Sequence, residues 1–236
     1  MNKDDRAILY GMAIGDGSIS NRLRFKDGKY PYVQATLSIA HGPKQREYLL
    51  HKKGLLESIL GGKKLAVTKL THKLKDKKYN TFRWSKTNKY FRQMHRVLYS
   101  RDGKKYITDK VLSYLDEHSL ALWFLDDGTI RHNKNRQGEI TSLGFELCTQ
   151  CSEEEALKIV EWLKSFSIDS RVYVMKGKYN VRGATQATLM LCSIIEPYVP
   201  SSMLYKISPS FRFVYRKSAR HPNFNIKKDD DIVQAT

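Results

Sequence analysis

Apolar residues form two closely similar helical runs in this chain, one near the start and one near the middle. The first run, LYGMAIGDGSI, covers residues 9–19, and the second, LALWFLDDGTI, covers residues 120–130. Each run is apolar almost all round, closes with Asp-Gly, and continues through Ser or Thr to Ile. A helix that is apolar on every side has to be buried. The pattern therefore predicts two buried helices that pack side by side at the centre of the protein.

An alternating segment follows each of these helices. Apolar residues stand at every second position from Val33 to Ile39 and again from Leu143 to Leu147, which is the period of a half-buried strand. A second helix then begins in each half, near Pro43 and at Ser152, where a first-turn proline and a capping box mark helix starts. Further strand pairs are predicted at 63–72 and 79–85 in the first half, and at 170–176 and 184–192 in the second.

The order of elements in each half is therefore αββαββα, which predicts an α+β protein built from two pseudo-symmetric repeats. Each repeat is expected to form a four-stranded antiparallel sheet backed by helices on one face. The two repeats are expected to pack through the two Asp-Gly helices. We place the first repeat at residues 1–116, the second at 117–209, and a partly disordered C-terminal extension at 210–236.

The face of each sheet that lacks helices is expected to be open and polar. Strands with such a face can lie in the major groove of DNA, where base edges present distinct donor and acceptor patterns. The alternative is that this polarity has no binding role, because any half-exposed strand is polar on its solvent-facing side. The residues predicted for this face are Gln34, Thr36, Ser38, Arg83, Ser85, Gln186 and Thr188.

The charge of the chain favours an anionic partner. The 236 residues are 41% hydrophobic, enough for a core, and 42 Lys and Arg against 24 Asp and Glu give a net charge of +18. The basic residues are spread along the chain, which suits a nucleic acid better than a membrane surface, although a solvated lysine-rich surface is the alternative. Those we expect to contact nucleic acid are Arg22, Arg24, Lys26, Arg131, Lys134, Arg136 and Arg182. The sequence has no signal peptide pattern and no apolar run of membrane-spanning length, so we expect a soluble, intracellular protein without a membrane partner.

The two Asp-Gly pairs carry the predicted chemistry. Asp127 follows Asp16 by 111 residues, and a single Asp-Gly after an apolar helix would be only a common helix stop. If the two helices pack in parallel, both carboxylates meet at the negative ends of two helix dipoles, where each raises the pKa of the other. A divalent cation resolves that conflict, and Mg²⁺ prefers few carboxylates together with waters and phosphate oxygens. We therefore predict Mg²⁺-dependent hydrolysis of phosphodiesters, with two or more ions shared between the two carboxylates and DNA.

The segments LYGMAIGDG and LALWFLDDG resemble the two signature helices of the LAGLIDADG homing endonucleases in their single-chain, two-repeat form. The resemblance extends from about residue 5 to residue 209. It implies saddle-shaped sheets over a long double-stranded DNA target, with Mg²⁺ at the ends of the packed helices. It also implies cutting of both strands across the minor groove, which leaves 3′ overhangs.

The same resemblance implies roles for further residues. Asp16 and Asp127 stand at the position of the family's metal-binding acid, and the carbonyl before each, from Gly15 and Asp126, is expected to complete the metal shell. Lys105 and Lys206 match basic residues near the scissile phosphates, with an ordinary surface lysine as the alternative for each. Gln150 and His41 match a polar position that orders active-site waters.

Two other functions fit the same scaffold. One is an RNA-binding maturase that helps an intron fold, with intron RNA as its partner, and the other is a DNA-binding protein that does not cut. Both acids are retained, which favours cutting. We expect a monomer associated with an intron or an intein, while the target sequence and the host compartment stay open.

Overall fold

The computed structural model describes residues 1–26, 30–62, 64–74, 77–138 and 140–207. The predicted C-terminal extension, 210–236, and the last two residues of the predicted second repeat lie outside the described residues. The repeat boundaries proposed from the sequence stay predictions.

The first repeat contains two helices and four strands in the predicted order, followed by two further helices. They are α1 (Lys3–Ile14), β1 (Ser18–Lys26), β2 (Tyr30–His41), α2 (Arg46–Ile59), β3 (Thr68–Leu74), β4 (Lys77–Thr87), α3 (Lys89–Leu98) and the short α4 (Asp109–Leu112). A 3₁₀ turn, Pro43–Gln45, leads into α2.

The second repeat has the same order of elements. They are α5 (Glu117–Asp127), β5 (Gly128–Lys134), β6 (Ile140–Cys151), α6 (Glu153–Lys164), β7 (Ser170–Met175), β8 (Lys178–Gly183) and α7 (Thr185–Ile195). The predicted capping box is present at the start of α6, where Ser152 and Glu155 bond to each other's backbone amides. Two 3₁₀ turns, Glu196–Tyr198 and Ser201–Lys206, follow α7.

Each repeat forms one antiparallel sheet of four strands. The strand orders are β1-β2-β4-β3 and β5-β6-β8-β7, so the two sheets have the same topology. Along β2, Ala35, Leu37 and Ile39 are buried while Thr36 and Ser38 stay accessible, which leaves one face of the sheet open. The α+β fold with two pseudo-symmetric repeats is confirmed.

Helices α1 and α5 pack against each other and carry the centre of the core. All residues from Leu9 to Gly15 are buried, as are those from Ser119 to Leu125, as expected for helices apolar on every side. The small residue Gly11 allows the close approach, because a Cβ added there would lie 2.7 Å from the backbone Cα of Ser119. The predicted packing of the two helices is confirmed.

The strand predicted at 184–192 is wrong, because this segment forms most of helix α7. Its buried residues include Ala187, Leu191 and Ile195, whose spacing of four places them on one face of a helix. The real partner of β7 is β8, which is reached through a tight turn at Lys176 and Gly177, both with positive φ. The short hairpin helps to make the second repeat shorter than the first.

Within the described residues, none of the helices is both long and apolar enough to cross a membrane.

Candidate functional site

The parallel ends of α1 and α5 bring the two predicted acids into one place. The backbone N–H of Asp16 donates to Oδ2 of Asp126 at 2.9 Å, which joins the end of one helix to the end of the other. Gly15 makes room for this contact, because any Cβ there would collide with the Asp126 carboxylate. The side chain of Asp16 is 43% exposed. It therefore remains accessible from the side where the sheets are open.

The carboxyl groups of Asp16 and Asp127 have pKa values above those of ordinary aspartates. Burial, and then the charges of Asp126 and Asp16, raise the pKa of Asp127 to about 6. Burial, and then the charge of Asp126, raise the pKa of Asp16 as well. A bound cation would relieve this repulsion by favouring the ionised forms.

Two lysines point into the same junction, one from each repeat. Nζ of Lys105 lies 2.8 Å from the carbonyl oxygen of Gly15, and Nζ of Lys206 lies 3.0 Å from that of Gly128 and 3.3 Å from that of Asp126. Burial lowers the pKa of both amines, and the nearby carboxylates counter this effect. Both ammonium groups therefore sit at the negative ends of the two helices.

The residues predicted to order water differ in how they sit. Nδ1 of His41 lies 3.4 Å from Oδ2 of Asp16, and burial, then the charge of Lys52, lower the pKa of His41 to about 4. His41 is thus neutral near pH 7. Gln150 is exposed at an irregularity in β6, with a left-handed φ of 48°. Its backbone N–H donates to Oδ1 of the buried Asn180 at 3.1 Å, which holds this strained conformation in place.

Lys52 is a component that the sequence interpretation missed. Its side chain is completely buried, and Nζ lies 2.5 and 2.7 Å from the two carboxylate oxygens of Asp126 and 3.3 Å from Nε2 of His41. A signal was available in the sequence, because Lys52 falls on the buried face of α2 between Tyr48 and Leu56. A lysine at a core position of an amphipathic helix needs a buried partner.

The donors at the junction fit a magnesium ion in their chemistry. Asp16 and Asp127 offer carboxylate oxygens. The backbone carbonyls of Gly15 and Asp126 accept from Lys105 and Lys206 and each has a second lone pair, so the donors together form the all-oxygen set that Mg²⁺ prefers. Side-chain atoms of Asp16, His41 and Asp126 also lie within 4.8 Å of one another. We assign that second group to the Lys52 ammonium instead, because it already bonds to Asp126 and His41.

The open face of the first sheet is lined by neutral and basic groups that bond to each other across strands. Oγ of Ser38 lies 2.8 Å from Oγ of Ser85 and accepts from Arg83 at 3.0 Å. Thr36 and Thr87 form a similar pair at 2.9 Å, and Arg24 donates to Gln34 at 3.2 Å. These hydroxyl and guanidinium groups keep further donors and acceptors free for a ligand.

The open face of the second sheet carries a carboxylate at the matching place. Ser38 pairs with Ser18, two residues after Asp16, and Glu146 pairs with Thr129, two residues after Asp127. Nη2 of Arg131 lies 2.9 Å from Oε1 of Glu146, whose side chain is 12% exposed. Arg182 stands opposite Glu146 on β8. The sequence interpretation missed Glu146, although an acid on the polar side of a strand in so basic a chain was a usable signal.

The other predicted nucleic-acid contacts fall into three groups. Exposed positions on β1, β5 and the turn after β5 hold Arg22, Lys134 and Arg136. The side chain of Lys26 lies outside the described residues. Gln186 and Thr188 are on helix α7 rather than on a strand, and Thr188 is buried with its hydroxyl bonded to the carbonyl of Ala184. Their predicted place on the open strand face was therefore wrong.

Comparison with known proteins finds relatives that match most of this chain. The family model described as the LAGLIDADG DNA endonuclease family matches residues 6–190. The protein RecA of Mycobacterium leprae (strain TN) is 29% identical over 220 residues, 87% of this chain and 28% of that protein. The chain spans less than half the length of the first RecA relatives that it matches.

Two further similarities concern endonucleases. DNA endonuclease I-ChuI of Chlamydomonas applanata is 22% identical over 225 residues, which cover 88% of this chain and 96% of that protein. The structure of the homing endonuclease I-WcaI bound to its DNA recognition sequence has a TM-score of 0.69 at 21% identity and covers 88% of this chain and 87% of that one. At 21% identity, the similarity to I-WcaI establishes a shared fold alone.

Proposed function

The chain belongs to the LAGLIDADG DNA endonuclease family, and from this premise we propose that it is a Mg²⁺-dependent, site-specific double-strand DNA endonuclease. The observation that carries the proposal is the joining of Asp16 and Asp126-Asp127 at the ends of two buried helices, beside two sheets with open polar faces. Its role as a homing endonuclease of an intron or an intein is part of the proposal. Matches to an endonuclease and to a segment of a longer protein support it.

In the proposed mechanism, the chain binds duplex DNA along the open faces of both sheets. Asp16 and Asp127, with the carbonyls of Gly15 and Asp126, would hold Mg²⁺. When bound, Mg²⁺ polarises the phosphodiester and lowers the pKa of an attacking water. The water oxygen forms a new bond to phosphorus while the bond to the 3′ oxygen breaks.

The remaining residues at the junction stabilise this reaction. Lys105 and Lys206 bring positive charge to the phosphate as negative charge builds up on its oxygens. Neutral His41 has Nδ1 3.4 Å from Oδ2 of Asp16 and Nε2 3.3 Å from Nζ of Lys52, and this position beside Asp16 limits the directions that the acid can take. We propose that one chain suffices, because it contributes both acids, and that the cuts on the two strands face each other across the minor groove and leave 3′ overhangs.

Sequencing of the ends released from a randomised duplex library in Mg²⁺ tests the proposal. The wild-type protein should release one discrete family of ends, and Asp16→Asn and Asp127→Asn should release none. Glu161→Gln, which changes an acid that is 76% exposed on α6, is the matched control and should cut as wild type does. Retention of DNA or intron RNA without any cut would instead support a non-cleaving binder or a maturase.

A further inference from the structure

Lys52 forms the most deeply buried charged contact at the junction, and the mechanism above makes no use of it as a charge. Its side chain and that of Asp126 are both 0% exposed, and the ammonium group contacts both carboxylate oxygens. Replacing a buried ion pair with apolar residues is often neutral or stabilising. Stability alone therefore gives no reason for this pair.

The pair connects the two repeats at the end of the first signature helix. Lys52 belongs to α2 of the first repeat, and Asp126 belongs to α5 of the second. Oδ2 of Asp126 accepts from the backbone N–H of Asp16 at 2.9 Å. The position of the Asp16 backbone therefore depends on a carboxylate that Lys52 orients.

A second contact leads from the same ammonium group to the Asp16 side chain. Nζ of Lys52 lies 3.3 Å from Nε2 of His41, and Nδ1 of His41 lies 3.4 Å from Oδ2 of Asp16. Lys52 thus reaches Asp16 by two routes, one ending at its amide and one at its carboxylate.

The arrangement is one-sided within the described residues. The residue that precedes the acid is Gly15 in the first signature helix, so that helix offers no carboxylate to the second. The buried face of α6, the counterpart of α2, consists of Ala156, Ile159 and Leu163 and includes no lysine. The two acids therefore receive different support.

We propose that Lys52 and Asp126 are positioning residues that set the geometry of the Asp16 side of the metal centre and thereby make the two strand cuts unequal. The proposal rests on the proposed endonuclease function. It assigns the Asp126 side chain a role separate from its backbone carbonyl. It also explains why the acid doublet occurs in the second signature helix alone.

The test uses paired substitutions, because a single one would leave a buried charge without a partner. Lys52→Met with Asp126→Leu removes both charges and the acceptor of the Asp16 amide. Lys52→Met with Asp126→Asn removes the charges but restores an oxygen that can accept from that amide. Lys53→Met is the matched control, since Lys53 is the next residue on the same helix and pairs with Glu57.

Single-turnover rates are measured on a duplex carrying a different dye on each strand. K52M/D126L should slow the cut that depends on the Asp16 side of the centre by about 10–100-fold, the usual effect of losing a group that orients a metal ligand, and should leave the other cut near its wild-type rate. K52M/D126N should recover most of that loss, and Lys53→Met should match wild type. A ratio of the two strand rates in K52M/D126L equal to that of wild type would overturn the proposal, whatever the melting temperature of the variant.

Calorimetric titration of the DNA-free proteins with Mg²⁺ gives a readout that is independent of cutting. K52M/D126L should bind Mg²⁺ about tenfold or more weakly than wild type, and the affinity of K52M/D126N should lie between those two. Equal affinities in all three proteins would overturn the positioning role. If wild type binds Mg²⁺ but cuts no duplex, the endonuclease proposal fails while this titration still decides the role of Lys52 and Asp126.

Discussion

Asp127 has a carboxyl group whose ionised form destabilises the folded chain when no cation is bound. Its pKa is raised to about 6 by burial and by two neighbouring carboxylates, so the folded state takes up a proton more readily than the unfolded state. Stability from this group is therefore lost as pH rises through about 6 and regained as pH falls toward 4. Without a metal, the fold therefore disfavours the ionised form of Asp127, which is the form proposed to bind the metal.

Asp127→Asn should stabilise the metal-free protein and abolish cutting. We expect a gain of about 1–2 kcal/mol at pH 7.5, which shrinks as pH falls through 6 and approaches zero at about pH 3.5, where the folded and the unfolded wild type are both protonated. Denaturant unfolding in EDTA at the two pH values measures the difference. An Asn variant less stable than wild type at pH 7.5 would contradict the assignment of strain to this carboxylate.

Glu146 is the second residue whose effect can be predicted, because Ser38 provides its counterpart. The ion pair with Glu146 holds Arg131, and a held arginine can present its remaining donors to guanine. Glu146→Ala should weaken discrimination by about 1–3 kcal/mol at a base pair in one half of the target. Ser38→Ala should affect the other half only. Base profiles from sequenced ends measure both, and identical changes in the two variants would refute the expectation.

The two acids that we propose as metal ligands, Asp16 and Asp127, could be located from the sequence, because an Asp-Gly repeated after an all-apolar helix has a clear spacing signal. Lys52 and Glu146 could not be assigned in the same way. Their roles depend on partners elsewhere in the chain. Lys52 meets Asp126, which is 74 residues away, and Glu146 meets Arg131, which is 15 residues away. Periodicity predicts which face a residue takes and leaves its distant partner undetermined.

At the scale of elements, the crossing of α1 and α5 depends on the absence of a side chain at Gly11, where the two helices come close together. Gly11→Ala should destabilise the protein by roughly 1–3 kcal/mol, because the added methyl group would collide with the backbone of Ser119. Gly54→Ala is the matched control on α2, where nothing lies within 4 Å of an added Cβ. It should be stabilising by about 0.5–1 kcal/mol. Urea unfolding measures both, and a neutral Gly11→Ala would contradict the close packing.

The order of elements was predictable, and one boundary was not. Six strands were given positions from the sequence, and five of them overlap strands β2, β3, β4, β6 and β7 of the structure. The segment 184–192 is apolar enough to fit both a strand and a helix pattern. The apolar run continues to Ile195, and this length of 11 residues favours the helix α7. The turn at Lys176 and Gly177 starts β8 at Lys178, which is six residues before the strand predicted at 184–192.

At the scale of the whole molecule, removal of metal should stop cutting without unfolding the chain. The ammonium groups of Lys105 and Lys206 already bond to the carbonyls at the helix ends, and Lys52 neutralises Asp126. EDTA should therefore shift the melting temperature by less than about 4 °C, or about 1 kcal/mol for a chain of this size. Unfolding at 25 °C in EDTA, followed by circular dichroism, would contradict this expectation.

The packing of α1 on α5 has a consequence for how such a chain can change over generations. The residues that hold the two repeats together are the same ones that would carry the cutting chemistry, whereas each open sheet face belongs to one repeat alone. Mutations on one face can therefore alter half of the target while the other half is still read. An exchange of a whole repeat between relatives must instead preserve Gly11, Gly15 and the Asp126 contact. The interface between α1 and α5 is therefore conserved as a unit, while the two sheet faces diverge separately.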